Sequence, residues 1–383
     1  MRFLNGPAPL VNSTKLNHSK VCGISQEALF LNRVSDMSQA SRLAHTPLSV
    51  LDLAPIKEGR SITDTFRETL DLAQHAEAWG YKRYWLAEHH NLGSVACSAT
   101  SVLIGYVAGG TNTIRVGSGG IMLPNHAPLV IAEQFGTLES LYPGRIDLGL
   151  GRAPGTDFPT MRALRRDLRN GDNFPELLTE LRELFAVPKP GQAVRALPGA
   201  GLNIPIWLLG SSGFSAQLAG HLGLPFAFAG HFAPENTLPA LDIYRRSFQP
   251  SEILNRPYMM VGVPVLAADT DKEAQRLSTT EYMNFLRLIR NQLGPLTPPV
   301  DSVEGLANDL ERAAVESKRA AAIVGSRETV RRKLELFLTE TQADELILTS
   351  NPYEHVARLR SYEIVAEIAK EAAEQSFQLS AAR

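Results

Sequence analysis

From Leu48 to Ala373 the chain alternates short apolar runs with helix-period segments, and few folds accommodate that rhythm. Leu48–Ala54, Tyr84–Ala87, Ile114–Val116, Arg145–Leu150, Ile204–Leu209, Pro225–Ala229, Tyr258–Ala267 and Glu345–Leu348 read as strands. After the first, Thr65-x-x-Glu68 has the spacing of a capping box, in which two side chains satisfy free amides at a helix start. Phe66, Leu70, Ala73 and Ala76 follow at helical spacing, and Gly80 can stop the helix. Further helices are expected near 98–108, 128–141, 174–185, 215–222 and 235–248. Others begin at Asp271 and at Ser326, a candidate cap, and one closes the chain over 353–373. Such alternation implies a parallel sheet covered by helices. Eight units over about 330 residues fit a closed (β/α)8 TIM barrel better than an open sheet. Residues 153–203 and 291–325 exceed ordinary loops and read as insertions near the active-site face, where long ordered loops serve as lids.

Residues 1–46 are rich in Ser and Asn and carry no strong strand, so they read as a tail or peripheral arm beside a barrel domain at 47–383. Lys plus Arg is 38 and Asp plus Glu is 40, a net charge of −2, which argues against nucleic acid or an anionic membrane as partner. No window approaches the ~18 apolar residues of a membrane span. No secretory signal is evident either, so a cytoplasmic location is expected. Two cysteines, Cys22 and Cys97, exclude a disulfide framework and argue against a cysteine metal site.

In a TIM barrel the chemistry sits at the C-terminal ends of the strands. The second strand ends in Glu88-His89-His90-Asn91, and neighbouring strand residues face opposite ways, so the two histidines need not share a role. The third ends in Gly117-Ser118-Gly119-Gly120, where glycines mark a bulge or the close approach of another group, such as a flat ring lying on backbone; a tight bend for barrel packing is the plainer reading. The fourth delivers Arg152 after Gly151, a forked cation that can reach an anion or merely pair at the surface. The fifth opens a helix through Gly210-Ser211-Ser212-Gly213-Phe214-Ser215, and small residues, hydroxyls and free helix-start amides make a phosphate cradle. This is neither a P-loop, since its Lys is missing, nor a GxGxxG fingerprint.

The blocks WLAEHHN at 85–91, GSGGIMLPNHAPL at 117–129, AEQFGTLESLYPGRIDLGLGRAPG at 132–155 and WLLGSSGFSAQLA at 207–219 resemble, in order, the bacterial luciferase-like flavin monooxygenases, on their non-luminescent branch. The resemblance implies a TIM barrel that binds FMN or its reduced form and is usually dimeric. It places the family's catalytic histidine on His89 with Glu88 beside it. The segment lying against the flavin ring, often with a non-proline cis peptide, falls near Ser118, Gly119 and Gly120. The phosphate contacts fall on Arg152 and Ser212, with Ser211 and Ser215 as further contacts. Light-emitting members carry a reactive cysteine where this chain has Gly151, which speaks against luciferase activity proper.

The implied reaction is oxidation of a small organic substrate by reduced FMN and O2, with His89 as general acid–base or as a hydrogen-bond partner beside the reacting oxygen. Since no dinucleotide fingerprint is present, a separate reductase is expected to supply reduced flavin. One rival keeps the barrel and uses a deazaflavin for hydride transfer. A second is a metal-dependent hydrolase built on Glu88, His89, His126 and His231, although the first strand offers no His-x-His and the last ends in Leu348-Thr349-Ser350 without an acid. A third is a flavin-binding protein without turnover.

Overall fold

The computed structural model describes residues 41–153, 157–166 and 173–381. Among the described residues nine strands form: β1 Leu48–Asp52, β2 Arg83–Leu86, β3 Arg115–Met122, β4 Ile146–Gly151, β5 Ile206–Gly210, β6 Phe226–Phe228, β7 Met259–Ala268, β8 Ile323–Ser326 and β9 Glu345–Thr349. All pairings between strands are parallel. β1 to β7 pair in chain order, β7 pairs β9, and β9 pairs β1, which closes an eight-stranded TIM barrel. The ninth strand, β8, lies outside this ring. β7 spends Met260–Pro264 on β9 and then turns Val265–Ala268 to β8, so the stretch read as a loop over 291–325 contains a strand start.

The helices are α1 Ile62–Ala78, α2 Thr100–Gly109, α3 Pro128–Leu141, α4 Phe158–Ala163, α5 Phe174–Phe185 and α6 Gly213–His221. After them come α7 Thr237–Ser247, α8 Asp271–Leu277, α9 Thr279–Ile289, α10 Asp309–Arg319, α11 Arg327–Thr341 and α12 His355–Ala381. The capping box of α1 is Ser61 with Asp64, one turn before the expected Thr65 and Glu68. Thr65 is a buried helix residue, and Glu68 pairs instead with Lys57 at 2.5 Å. Ser326 does precede α11, but its side chain makes no capping bond; its backbone amide donates to Asp271 Oδ1 at 2.7 Å.

Side chains from β2 and β4 meet across β3, which identifies the inward face. Arg83 Nη1 donates to Asp147 Oδ2 at 2.6 Å, Arg83 Nε to Glu345 Oε1 at 2.9 Å, and Trp85 Nε1 to Asp147 Oδ2 at 3.2 Å. These residues stand near the strand starts, so a hydrogen-bonded ionic layer plugs the N-terminal end of the barrel. Counting in twos from Asp147 and Glu345 puts Gly149 and Gly151 inward on β4 and Ile347 inward on β9. Gly262 is paired with Ile347 and shares its face. The interior is therefore filled at the bottom, and glycines of β4 and β7 face inward farther up.

Outside the ring, Asp52 is fully buried and gathers Arg358 (2.7 Å), Tyr84 (2.6 Å) and Thr69 (2.8 Å), tying α1 and α12 to β1 and β2. Its Oδ1 also accepts the amide of Ala54, which holds that residue at φ +50 just past β1.

The expected tail over 1–46 lies largely outside the described residues. From Ser41 onward the chain packs on the barrel: Leu43 is buried in the core, Ser41 bonds Glu335, and Arg42 bonds Gln342. Cys97 is a free, buried thiol whose pKa burial pushes up to about 12. Among the described residues no helix is long and apolar enough to cross a membrane.

Candidate active site

The strand ends converge as the sequence reading requires, with different partnerships. Glu88, just past β2, is buried. Its Oε1 accepts from His90 Nε2 and His126 Nε2, both at 2.9 Å, and from Asn125 Nδ2 at 3.5 Å, while Oε2 accepts the Met122 amide at 3.0 Å. Burial raises the pKa of this carboxyl, but the bonds from His126 and His90 and the Met122 amide outweigh it and hold it at about 2. Glu88 is thus an ionised hub that fastens the end of β2 to the turn after β3. His90 and His126, absent from the expected catalytic pair, are its imidazole partners. Thirty-eight residues separate Glu88 from His126, and no local pattern announces that pairing.

His89 is half-buried beside them, and its carbonyl accepts from the Ser98 hydroxyl at 2.8 Å. It lies near His231, three residues past β6. Burial lowers the pKa of His231 to about 4, and His89 adds to the shift. Nδ1 of His231 is shut off from solvent and has no partner. A Cβ on the inward Gly262 would stand 2.5 Å from that nitrogen, so a glycine in β7 is what admits the imidazole. Glycine inside a strand marks close approach, and that signal could have singled out Gly262 from sequence.

On β3 the peptide bond Gly119–Gly120 is cis, and the ladder to β4 shifts register between Ser118 and Ile121. Ser118 is fully buried and covers the break: its hydroxyl donates to Gly149 O at 2.8 Å and accepts from Gly149 N at 3.0 Å. A Cβ on Gly119 would meet Leu51 at 2.6 Å, and one on Gly120 would meet Gly149 O at 2.8 Å. Internal packing accounts for these glycines. At Gly151 the space is taken by the Met122 sulfur, 2.7 Å from where a Cβ would stand.

The residues expected to cradle an anion lie at the ends of β4 and β5. Arg152, next after β4, lays its guanidinium 4.2 Å from the centre of the Phe214 ring in the first turn of α6. That stack puts a cation beside a helix start carrying free amides. Ser212 is the N-cap residue in extended conformation, and its hydroxyl makes no capping bond. Ser211 is half-buried and Ser212 exposed, whereas Ser215 is buried against Gly210, whose Cβ would stand 2.7 Å from it. Arg152, Ser211 and Ser212 therefore meet at one surface, and Ser215 packs beneath it.

The two long stretches divide. Leu296 bridges to Lys57, exchanges backbone bonds with Ile56 and Glu58, and so crosses the loop after β1; Leu293 and Gly294 press on Gly93 after β2. Asp157, capping α4, bonds Asn91 at the end of the β2 motif. The latter part of 153–203 instead runs along α3, where Gly199 meets Gly136, so it supports the outer wall. A cleft of about 920 Å³ elsewhere, bordered by Lys272, Arg276, Asp301 and Arg319 among others, shares no residue with this site. Among the described residues no three His, Cys, Asp or Glu side chains are placed to hold a metal ion.

The profile of the luciferase-like monooxygenases matches residues 46–364. The Bacillus subtilis protein YvbT is 59% identical over 85% of this chain and 97% of its own. A luciferase-like monooxygenase of Escherichia coli K12 is 51% identical over 84% and 97%. The crystal structure of apo-MsnO8 superposes with a TM-score of 0.76 at 36% identity, covering 85% of this chain and 98% of that one. Two more distant structures share the fold alone. One is the oxygenating constituent of 3,6-diketocamphane monooxygenase in complex with FMN (17% identity, TM-score 0.66, 85% and 98% covered). The other is an F420-dependent secondary alcohol dehydrogenase with an F420–acetone adduct (14%, 0.63, 85% and 99%).

Proposed function

We propose a function from one premise: the chain belongs to the luciferase-like monooxygenase family. On that premise it is an oxidoreductase that takes up reduced FMN and O2 and oxygenates a small organic substrate. The observation that carries this reading is the Arg152–Phe214 stack at the start of α6, beside a Ser212 hydroxyl unused by the cap. A guanidinium, two hydroxyls and free amides suit a terminal phosphate. Bound reduced flavin supplies the electrons and the reaction with oxygen.

The chain's own residues hold and exclude. His89 exchanges a proton with, or donates a hydrogen bond to, the reacting oxygen. Glu88 touches no substrate; as a positioning residue it fixes His90, His126 and the turn after β3. The 293–296 segment covers the loops after β1 and β2 and limits water. A separate reductase supplies the reduced flavin, and the working form is a homodimer.

The test is anaerobic titration with reduced FMN and, separately, with reduced deazaflavin, followed by admission of O2. Tighter binding of reduced FMN with rapid oxygen uptake is expected. Preferential binding of the deazaflavin without oxygen uptake would replace this reading with hydride transfer on the same barrel. The catalytic assignment is checked by His89→Ala, which should lower turnover roughly 10²–10⁴-fold and leave flavin affinity unchanged.

A further inference from the structure

Where the loop after β1 meets α1 and the start of α12, one carboxylate oxygen faces two bases. Oε2 of Glu68 accepts from Lys57 Nζ at 2.5 Å, and Nδ1 of His355 stands 3.9 Å from the same atom. The other ring nitrogen of His355, Nε2, lies 2.7 Å from Asp71 Oδ2. A carboxylate only accepts, so the neutral ring carries its proton on Nε2 and keeps a bare lone pair on Nδ1. That lone pair is buried without a hydrogen-bond partner and faces the Glu68 carboxylate. Two acceptors thus confront each other across a gap that one proton, with about 1 Å of movement, would turn into a charge-assisted bond.

Lys57 depends on that carboxylate. Its side chain is only 2% exposed, and a buried charge robbed of its partner is strongly unfavourable. The backbone of the same residue bridges Leu296. Glu58 N donates to Leu296 O at 2.9 Å, Leu296 N to Ile56 O at 2.8 Å, and Ile56 N to Ser94 O at 2.9 Å, past the end of β2. Through one ammonium, Glu68 therefore fastens the β1 loop and the segment that crosses it beside the candidate active site. Tyr353 holds the loop from the α12 side, donating to Glu58 O at 2.6 Å.

The other charged groups around His355 are Arg358 on α12, itself paired with Asp52, and His75 on α1, whose Nδ1 donates to Asp71 O at 2.9 Å and lies 3.6 Å from the Asp71 carboxylate. Glu354, on the exposed side, acts on Lys57. Burial lowers the pKa of His355; Arg358 and Lys57 add to the shift, and Asp71 and Glu68 oppose it. The closed arrangement therefore holds a proton less well than a solvated imidazole does, so acid favours the arrangement in which the ring is freed. We propose that His355 is a pH-sensitive latch: a proton taken up at Nδ1 draws Glu68 away from Lys57 and releases the β1 loop with residues 293–296, opening the ends of β1 and β2 in mild acid. The latch does not depend on which flavin the barrel takes.

The experiment is hydrogen exchange of the full chain at pH 7.5 and 5.5, read by mass spectrometry on peptides that contain the Glu58 and Leu296 amides and corrected for the intrinsic effect of pH. An NMR titration of the His355 ring accompanies it. One proton and an ordinary histidine pKa near 6.5 limit the rise in opening to about tenfold. Wild type should show a several-fold rise toward that limit, with the ring titrating below 6.5. His355→Gln keeps a donor for Asp71 and cannot take up the proton, so its loop should stay protected at both pH values. Lys57→Met has no ammonium to lose its partner and should be equally insensitive. No rise in wild type, a ring midpoint at or above 6.5, or a rise that persists in either variant overturns the proposal. So does exchange in His355→Gln that is already as fast at pH 7.5 as in wild type at pH 5.5, since the ring would then serve packing alone.

Discussion

Replacing Glu88 by Gln keeps the size of the side chain and removes its charge and half of its accepting power. The carboxylate takes two imidazole donors at 2.9 Å and an amide at 3.0 Å, in a residue only 1% exposed. One carboxamide oxygen cannot serve both ends, so its NH2 must face a donor. Hydrogen bonds to charged groups contribute roughly 1.5–3 kcal/mol each, so losing one or two costs about 3 kcal/mol or more. Linkage gives a similar size. A carboxyl held at about 2 in the fold, against an ordinary 4.5, is shifted by about 2.5 pH units, or ~3 kcal/mol at 1.36 per unit. Because the folded pKa is depressed, that stability is fully present above pH 4.5 and is lost as pH falls toward 2. Urea denaturation of wild type and Glu88→Gln at pH 7, 4.5 and 3 reads both quantities. The gap should be about 3 kcal/mol at pH 7, change little at pH 4.5, and narrow by roughly 2 kcal/mol at pH 3. A gap below 1 kcal/mol at pH 7, or one that ignores pH, would refute the hub.

Arg358→Met leaves the fully buried Asp52 without its cation and should cost roughly 3–5 kcal/mol in urea denaturation; adding Asp52→Asn should recover part of it. His231 should stay neutral through the physiological range, with an NMR titration midpoint near 4. As a base with a lowered folded pKa, it contributes stability that is whole above 6.5 and is lost as pH falls toward 4; a midpoint near 6.5 would contradict its burial. Deleting residues 1–40 should leave a folded, flavin-binding barrel, whereas Leu43→Ala, at a side chain 1% exposed, should cost ~2–5 kcal/mol.

Most of the barrel could be read from the sequence because each unit repeats the same local signals: a short apolar run, then helical spacing. β8 was not legible for the same reason. Ile323–Ser326 is four residues long and pairs only with the overhanging end of β7, so no alternation marks it. The capping box of α1 was displaced because Ser61-x-x-Asp64 and Thr65-x-x-Glu68 offer the same spacing four residues apart, and only the burial of Thr65 decides between them. At the site, strand ends expose Glu88, His89, Arg152 and Ser212 by position alone. The Glu88–His126 contact depends on how β2 and β3 lie side by side, and the Arg152–Phe214 stack on how β4 and β5 do. Those are tertiary facts.

The most direct test of the account is a two-by-two titration, FMN and riboflavin against wild type and Ser212→Asp, followed by flavin fluorescence. Riboflavin has the ring without the phosphate. If Arg152, Ser211, Ser212 and the α6 amides hold that phosphate, wild type should bind FMN at least tenfold more tightly than riboflavin, one charge-assisted hydrogen bond being worth roughly 1.5–3 kcal/mol. The added carboxylate should erase that advantage and leave riboflavin binding nearly as it was, since Asp suits a helix start. Undiminished FMN binding by Ser212→Asp, or equal affinity of wild type for the two flavins, would contradict the account.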